Sequence, residues 1–185
     1  MKPQALLTLG AVALAIGLVA SPVATTAQMA APAPTMVPMS KPDFSSMMFM
    51  TGTWNCTQML RGKTRPDTAT TTIDKDGMWM ITQDVAPPFD QYRTFAVNGT
   101  SWMTYDPTIK QWVTVGIDNT GGYGITSTPG WQGNTMTATT KGLDGSVVTD
   151  VTTKVSDTET NDVQTATDAQ GKVTKATIHC TKTAS

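Results

Sequence analysis

The chain has 185 residues and a formal net charge of −1, with 39% hydrophobic and 15% charged residues. A balance this close to neutral offers no basic surface from which counterions could be displaced, which excludes nucleic acid and anionic membranes as partners. One histidine and two cysteines leave little material for metal or nucleophile chemistry.

Residues 1–27 carry a positive charge at Lys2, an uncharged run of 16 residues from Ala5 to Ala20, and small residues ending Thr25-Thr26-Ala27. This pattern reads as a signal peptide cut after Ala27. The run is shorter than the ~20 residues that span a bilayer, so a secreted or periplasmic protein without a membrane anchor is expected. Residues 28–42, rich in Ala, Pro and Met, read as a flexible linker, and residues 43–183 as one β domain. At its head Asp43 is placed to cap a short helix in which Phe44, Met47 and Met48 recur at i, i+3 and i+4, lying across an open end of the domain.

From Thr51 onward the pattern is β-like: threonine makes up roughly a fifth of the chain, and turn residues recur every eight to twelve positions or so. Runs at 52–61, 67–74, 78–85, 91–97, 101–105, 111–118, 122–128, 133–140, 146–155, 158–167 and 172–182 read as strands. Hairpin chemistry joins them at Lys75-Asp76-Gly77, Val97-Asn98-Gly99, Asp118 to Gly122, Leu143-Asp144-Gly145 and Asp168 to Gly171, and Asp106-Pro107-Thr108 starts a longer turn. No helix-period segment is long enough for a crossover, which predicts an antiparallel meander.

Cys56 and Cys180 lie in the first and last strands, 124 residues apart. In an oxidising compartment an even pair is expected to form a disulfide, which brings the two Cα atoms within about 7 Å. Neighbouring first and last strands close the meander into an all-β barrel of about 8 to 10 strands. Alternation from an inward Trp54 places Cys56, Gln58 and Leu60 inside, together with Ala176, Ile178 and Cys180. It leaves His179 outside.

Gly52-Thr53-Trp54, Tyr105-Asp106-Pro107 with Lys110-Gln111-Trp112, Gly121-Gly122-Tyr123 and Gly130-Trp131-Gln132-Gly133 carry a resemblance. In that order they resemble small secreted bacterial lipocalin-like (calycin-type) β-barrel proteins of uncharacterised domain families, over residues 44–182. The resemblance implies a cavity holding a small apolar molecule and no known reaction. Nitrobindin, a haem-binding barrel of similar shape, takes a histidine near its C-terminus as iron ligand; here only His179 could serve, and its outward direction opposes that role. No cofactor is implied.

The candidate ligand-binding residues are Trp54, Tyr92, Arg93, Trp102, Tyr105, Trp112, Tyr123 and Trp131, aromatic rings for an apolar pocket with a few polar contacts. There is no Ser-His-Asp set with an inward histidine, no H-E-x-x-H and no phosphate-binding glycine loop. Asp144, Asp150, Asp157, Glu159, Asp162 and Asp168 read as turn and surface charges without an inward pair. The expectation is a non-enzymatic binder of a small apolar molecule. The alternative is a filled barrel with a structural or interaction role; haem binding and copper binding rank lower. For copper, Met36, Met39, Met47, Met48 and Met50 supply thioethers at a spacing that could share Cu(I), although methionine equally fills an irregular apolar plug.

Overall fold

The computed structural model describes residues 40–89 and 94–183. The expected signal peptide, most of the linker, and Met36, Met39, Tyr92 and Arg93 lie outside the described residues. A 3-10 helix, Ser45–Met50, precedes eleven strands: β1 (Gly52–Leu60), β2 (Lys63–Ile73), β3 (Met80–Ala86), β4 (Val97–Asp106), β5 (Gln111–Asp118), β6 (Tyr123–Thr128), β7 (Trp131–Gln132), β8 (Thr135–Lys141), β9 (Val147–Ser156), β10 (Glu159–Thr167) and β11 (Val173–Lys182). Every pairing is antiparallel and, β7 aside, joins neighbours in sequence, while β6 meets β8 and β11 meets β1. Ten strands therefore form a closed ring, with β7 a two-residue spur on β8. Closure leaves the ring without an edge strand open to aggregation.

The closing seam is the one the cysteines predicted. β1 and β11 pair from Trp54↔Lys182 to Leu60↔Ala176, with Cys56 directly opposite Cys180. Their sulfurs are bonded, and the Cα atoms stand 4.0 Å apart. The expected alternation holds on both strands: Trp54, Cys56, Gln58 and Leu60 are more buried than Asn55, Thr57 and Met59, and Ala176, Ile178 and Cys180 more buried than their neighbours.

Four hairpins share one device. Asp74, Asp118, Asp144 and Asp168 each turn Oδ1 back onto backbone amides two to five residues ahead. In each a glycine, Gly77, Gly121, Gly145 or Gly171, supplies the positive φ. These hydrogen bonds, led by the hydroxyls of Thr120 and Ser146, hold the Asp118 and Asp144 carboxyls below the usual range.

Two turns differ from expectation. β1 and β2 are joined by the two residues Arg61 and Gly62, at φ 52° and 72°, in left-handed backbone of the kind a tight hairpin requires. Arg-Gly carries a weak turn signal, and β2 accordingly begins at Lys63 and runs through Pro66. Conversely Asn98-Gly99 is no hairpin: β4 runs through it, and no separate strand covers 94–96. The Asn98 amide donates to Asn119 Oδ1 at 2.9 Å and its carbonyl accepts from the Asn119 amide, so a neighbouring loop satisfies the backbone that a turn would have used.

One end of the barrel is plugged. In a 3-10 helix side chains three apart eclipse, so Phe44, Met47 and Met50 line one face and Met48 lies off it. Met47 is completely buried and Phe44 nearly so, packed with Met80, Met103, Trp112 and Met136, whereas Met48 is 49% exposed. The expected α-helical spacing is thus replaced by period three, with Met50 in place of Met48. Asp43 sits just ahead of the N-cap, Phe44, and accepts the Ser45 amide at 2.9 Å.

The Gly-x-Trp of β1 fastens this plug. Trp54 Nε1 donates to the Met50 carbonyl at 2.8 Å, and Lys182 Nζ donates to the Phe49 carbonyl at 2.8 Å while standing 5.6 Å over the Trp54 ring. Lys182 reaches there across Gly52, where φ is 104° and an added Cβ would lie 2.9 Å from Lys182 Cε. Glycine is needed for both backbone and space. Lys154, 4.1 Å over the Phe49 ring and paired with Asp157 at 2.6 Å, holds the opposite side.

Candidate functional site

Strand alternation decides what faces the interior beyond the plug. On β3, Met80 in the core fixes the phase, so Thr82, Asp84 and Ala86 also point inward. On β2 the register Trp54↔Ala69 and Cys56↔Asp67 turns Arg65, Asp67 and Ala69 inward. On β4 to β6 the inward positions past Met103, Trp112 and Thr128 are Ser101, Gly99, Thr114, Gly116, Thr126 and Gly124. At the strand ends opposite the plug this leaves a cavity of about 560 Å³. Asp84 lies four residues from Met80 on β3, about 13 Å further along at ~3.3 Å per residue.

The hollow exists because side chains are missing from one wall. Gly116 lies directly opposite Gly124, and Gly99 is on the next strand. None of the three has positive φ. A Cβ at Gly99 would approach nothing closer than 3.7 Å, and one at Gly116 nothing closer than 3.5 Å, both ordinary contact distances. Neither backbone conformation nor crowding demands glycine at these two positions; what it leaves there is space.

Charge borders that wall, with Asp84 paired directly opposite Gly99 across β3 and β4. Asp84 and Asp67 are diagonal neighbours across β2 and β3, with Arg65 two residues before Asp67. Asp84 accepts no hydrogen bond from the described residues, and burial, then the nearby Asp67 charge, push its carboxyl up to about 6. Across the ring, β9 stands five strands from β3 in either direction. There Asp150 Oδ1 accepts from Gln164 Nε2 at 2.9 Å and Asp162 Oδ2 from Thr152 Oγ1 at 2.6 Å. Asp162 Oδ1 is buried without a partner among the described residues. Burial raises both of these carboxyls as well.

The sign of the linkage follows. A carboxyl raised in the folded state binds its proton more tightly there than in the unfolded chain, so stability falls as pH climbs from the unfolded value to the folded one. Carboxyls held low, Asp43, Asp118, Asp144 and Asp157, lose their contribution only below the ordinary aspartate value of about 3.9. Between about pH 4 and 6 the raised group therefore governs. The melting temperature should rise as pH falls from 7.5 to 5, and Asp84→Asn should remove part of that slope. At pH 7.5 the variant should gain on the order of 1 kcal/mol after solvent screening at the mouth. A pH-independent melting temperature in the native chain would contradict this assignment.

The aromatic candidates divide. Trp54, Trp112 and Trp131 belong to the plug: Phe44 lies 5.1 Å from Trp112, and Phe49 lies 6.5 Å from Trp54 and 5.2 Å from Trp131. Tyr105 stacks edgewise on Trp112 at 5.4 Å. Trp102 shares the outward phase of Ile81 and Val115. Tyr123, 65% exposed, stands at the rim of the cavity. The lining is thus more polar than the apolar pocket expected, because the large rings are spent on closing the other end. Asp150 and Asp162 correct the expectation that the acidic residues supply no inward pair. Of the copper candidates within the described residues, Met47 and Met50 pack into the plug and Met48 points away from them. His179 lies on the outer face, 3.0 Å from Glu159 Oε1.

Closed ten-strand wall, fastened plug and open polar mouth define a lipocalin-like barrel. The fold is similar to the solved structure of S-type phycobiliprotein lyase CPES from Guillardia theta, with a TM-score of 0.54 and 7% sequence identity over 75% of this chain and 92% of that one. No protein-family model and no curated protein matches the sequence. The expectation of a non-enzymatic protein is corrected: a protein of this fold bears the name of a lyase, and the interior holds a carboxyl raised to about 6, able to take up or release a proton near neutral pH.

Proposed function

We propose that the chain is an exported lipocalin-like barrel, akin to the small secreted bacterial proteins its motifs resemble, that takes a small molecule through its open end. The domain would be residues 43–183, released by cleavage after Ala27. The Cys56–Cys180 disulfide fits an oxidising compartment. The observation that carries the reading is the glycine wall: Gly99 and Gly116 keep a space of about 560 Å³ open where the fold would accept side chains. Volumes in this range hold one small ligand. Asp84 gives a molecule held there a partner for proton transfer as well as for binding.

Gly116→Val puts a branched side chain, well suited to a strand, into the centre of the hollow. Native mass spectrometry of the protein purified from its own host should show a small bound mass in the native chain and none in Gly116→Val, with equal or higher melting temperature in the variant. Bare polypeptide in both would sink the proposal and favour a barrel without a ligand.

A further inference from the structure

Resting on that reading, we infer that the ligand class is a planar organic cation, its ring system lying on the bare peptide wall at Gly99, Gly116 and Gly124 and its positive charge turned toward Asp84. Shape and charge point there independently. Gly116 and Gly124 lie opposite each other on strands ~4.8 Å apart, and Gly99 lies on the diagonal, one strand over and two residues along, so the bare peptide forms an oblique strip roughly 10 Å across, flanked by Ser101, Asp118 and Thr140. That matches the face of two or three fused rings and would leave a branched aliphatic molecule poorly packed.

The charge is equally specific. Asp84 opens into the cavity with no hydrogen bond from the described residues, and a carboxylate desolvated in that way is stabilised by a cation brought to it. From β2, Asp67 and Arg65 face it; from β4, Gly99 and Val97 bring no charge; from β5, Asp118 adds a third carboxylate, tied by its own turn. The cavity lining thus holds three acids and one base among the described residues. A neutral ring would leave Asp84 desolvated and uncompensated, and an anionic one would add repulsion from all three acids. The hydroxyls of Ser101 and Thr114, which border the wall, can accept hydrogen bonds from ring amino groups.

The test uses fluorescence titration of the oxidised, full mature chain with three probes: proflavine, a planar cation; acridone, a neutral ring system of similar shape; and the anion 1-anilinonaphthalene-8-sulfonate. At pH 7.5 proflavine should bind at least tenfold more tightly than either of the others. Asp84→Asn, with an unchanged circular dichroism spectrum, should weaken it tenfold or more, Gly116→Val should abolish it, and lowering the pH to 5 should weaken the native chain toward the Asp84→Asn level. If acridone or the sulfonate binds as well as proflavine and Gly116→Val still abolishes binding, the cup survives and the cation is wrong. Proflavine binding that Asp84→Asn leaves unchanged overturns the inference in the same way. If no probe binds, or binding ignores Gly116→Val, the cup reading falls with it.

Discussion

Replacing Cys56 and Cys180 together by serine should lower the unfolding free energy by roughly 4 to 5 kcal/mol, the chain-entropy value for a closed loop of this length. The loop spans 124 residues, nearly the whole barrel. The folded seam does not depend on the bond, since β1 and β11 pair at seven positions from Trp54 to Leu60. The effect is therefore expected through the unfolded chain, which gains freedom once its ends are released. Urea unfolding of the oxidised protein against the double variant should show a midpoint lower by about 2 M, given slopes of ~1–3 kcal/mol/M, and a steeper slope in the variant, whose unfolded state exposes more surface. Near-native strand content by circular dichroism should persist below the transition. An unchanged midpoint would mean that the unfolded chain keeps its ends together by other contacts.

Much of this architecture is legible in the sequence because the relevant signals are local or pairwise. The turns built on aspartate and glycine are local: side-chain oxygen and left-handed glycine are adjacent in Asp144-Gly145 and three residues apart in the other three, and each works without help from the rest of the chain. The cysteines are pairwise and fix which strands meet. Where a local signal is degenerate, it does not specify the turn. Asn98-Gly99 carries the strongest hairpin dipeptide, yet Asn119 from another loop holds it extended; Arg61-Gly62 carries a weak one and makes a two-residue hairpin turn. Tertiary hydrogen bonds outside the dipeptide decided the first of these cases.

The cavity was harder to see for a different reason. In the sequence, Trp54 and Cys180 set inward and outward positions on the first and last strands alone. Extending the alternation through Met80 to Asp84, or through Trp112 to Gly116, requires the register of every intervening strand, and a slip of one residue reverses each face. The signal was nonetheless present: β3 reads Met-Ile-Thr-Gln-Asp-Val-Ala, in which the phase set by the larger buried side chain carries the aspartate inward. The tryptophans mark the plug, where apolar area is largest, and not the end where side chains are absent.

Met47→Ala should destabilise the barrel by about 2–5 kcal/mol, the range for truncating a fully buried methionine, while Met48→Ala, one residue on, should change stability by less than about 0.5 kcal/mol. The contrast tests the 3-10 geometry of Ser45–Met50 directly. Met47 has no exposed surface and lies in the cluster of Phe44, Met80, Met103, Trp112 and Met136; its truncation leaves a void that the wall strands cannot close, because hydrogen-bonded neighbours on both sides fix each of them. Met48 points off the buried face and loses only solvent contact. An α-helical turn would bury both, and the two substitutions would then cost alike. Met47→Leu, which keeps most of the volume, should recover the stability to within about 1.5 kcal/mol of the native chain. Thermal unfolding of the three variants decides the matter: equal losses for Met47→Ala and Met48→Ala would remove the period-three packing on which the closed end of the cup rests.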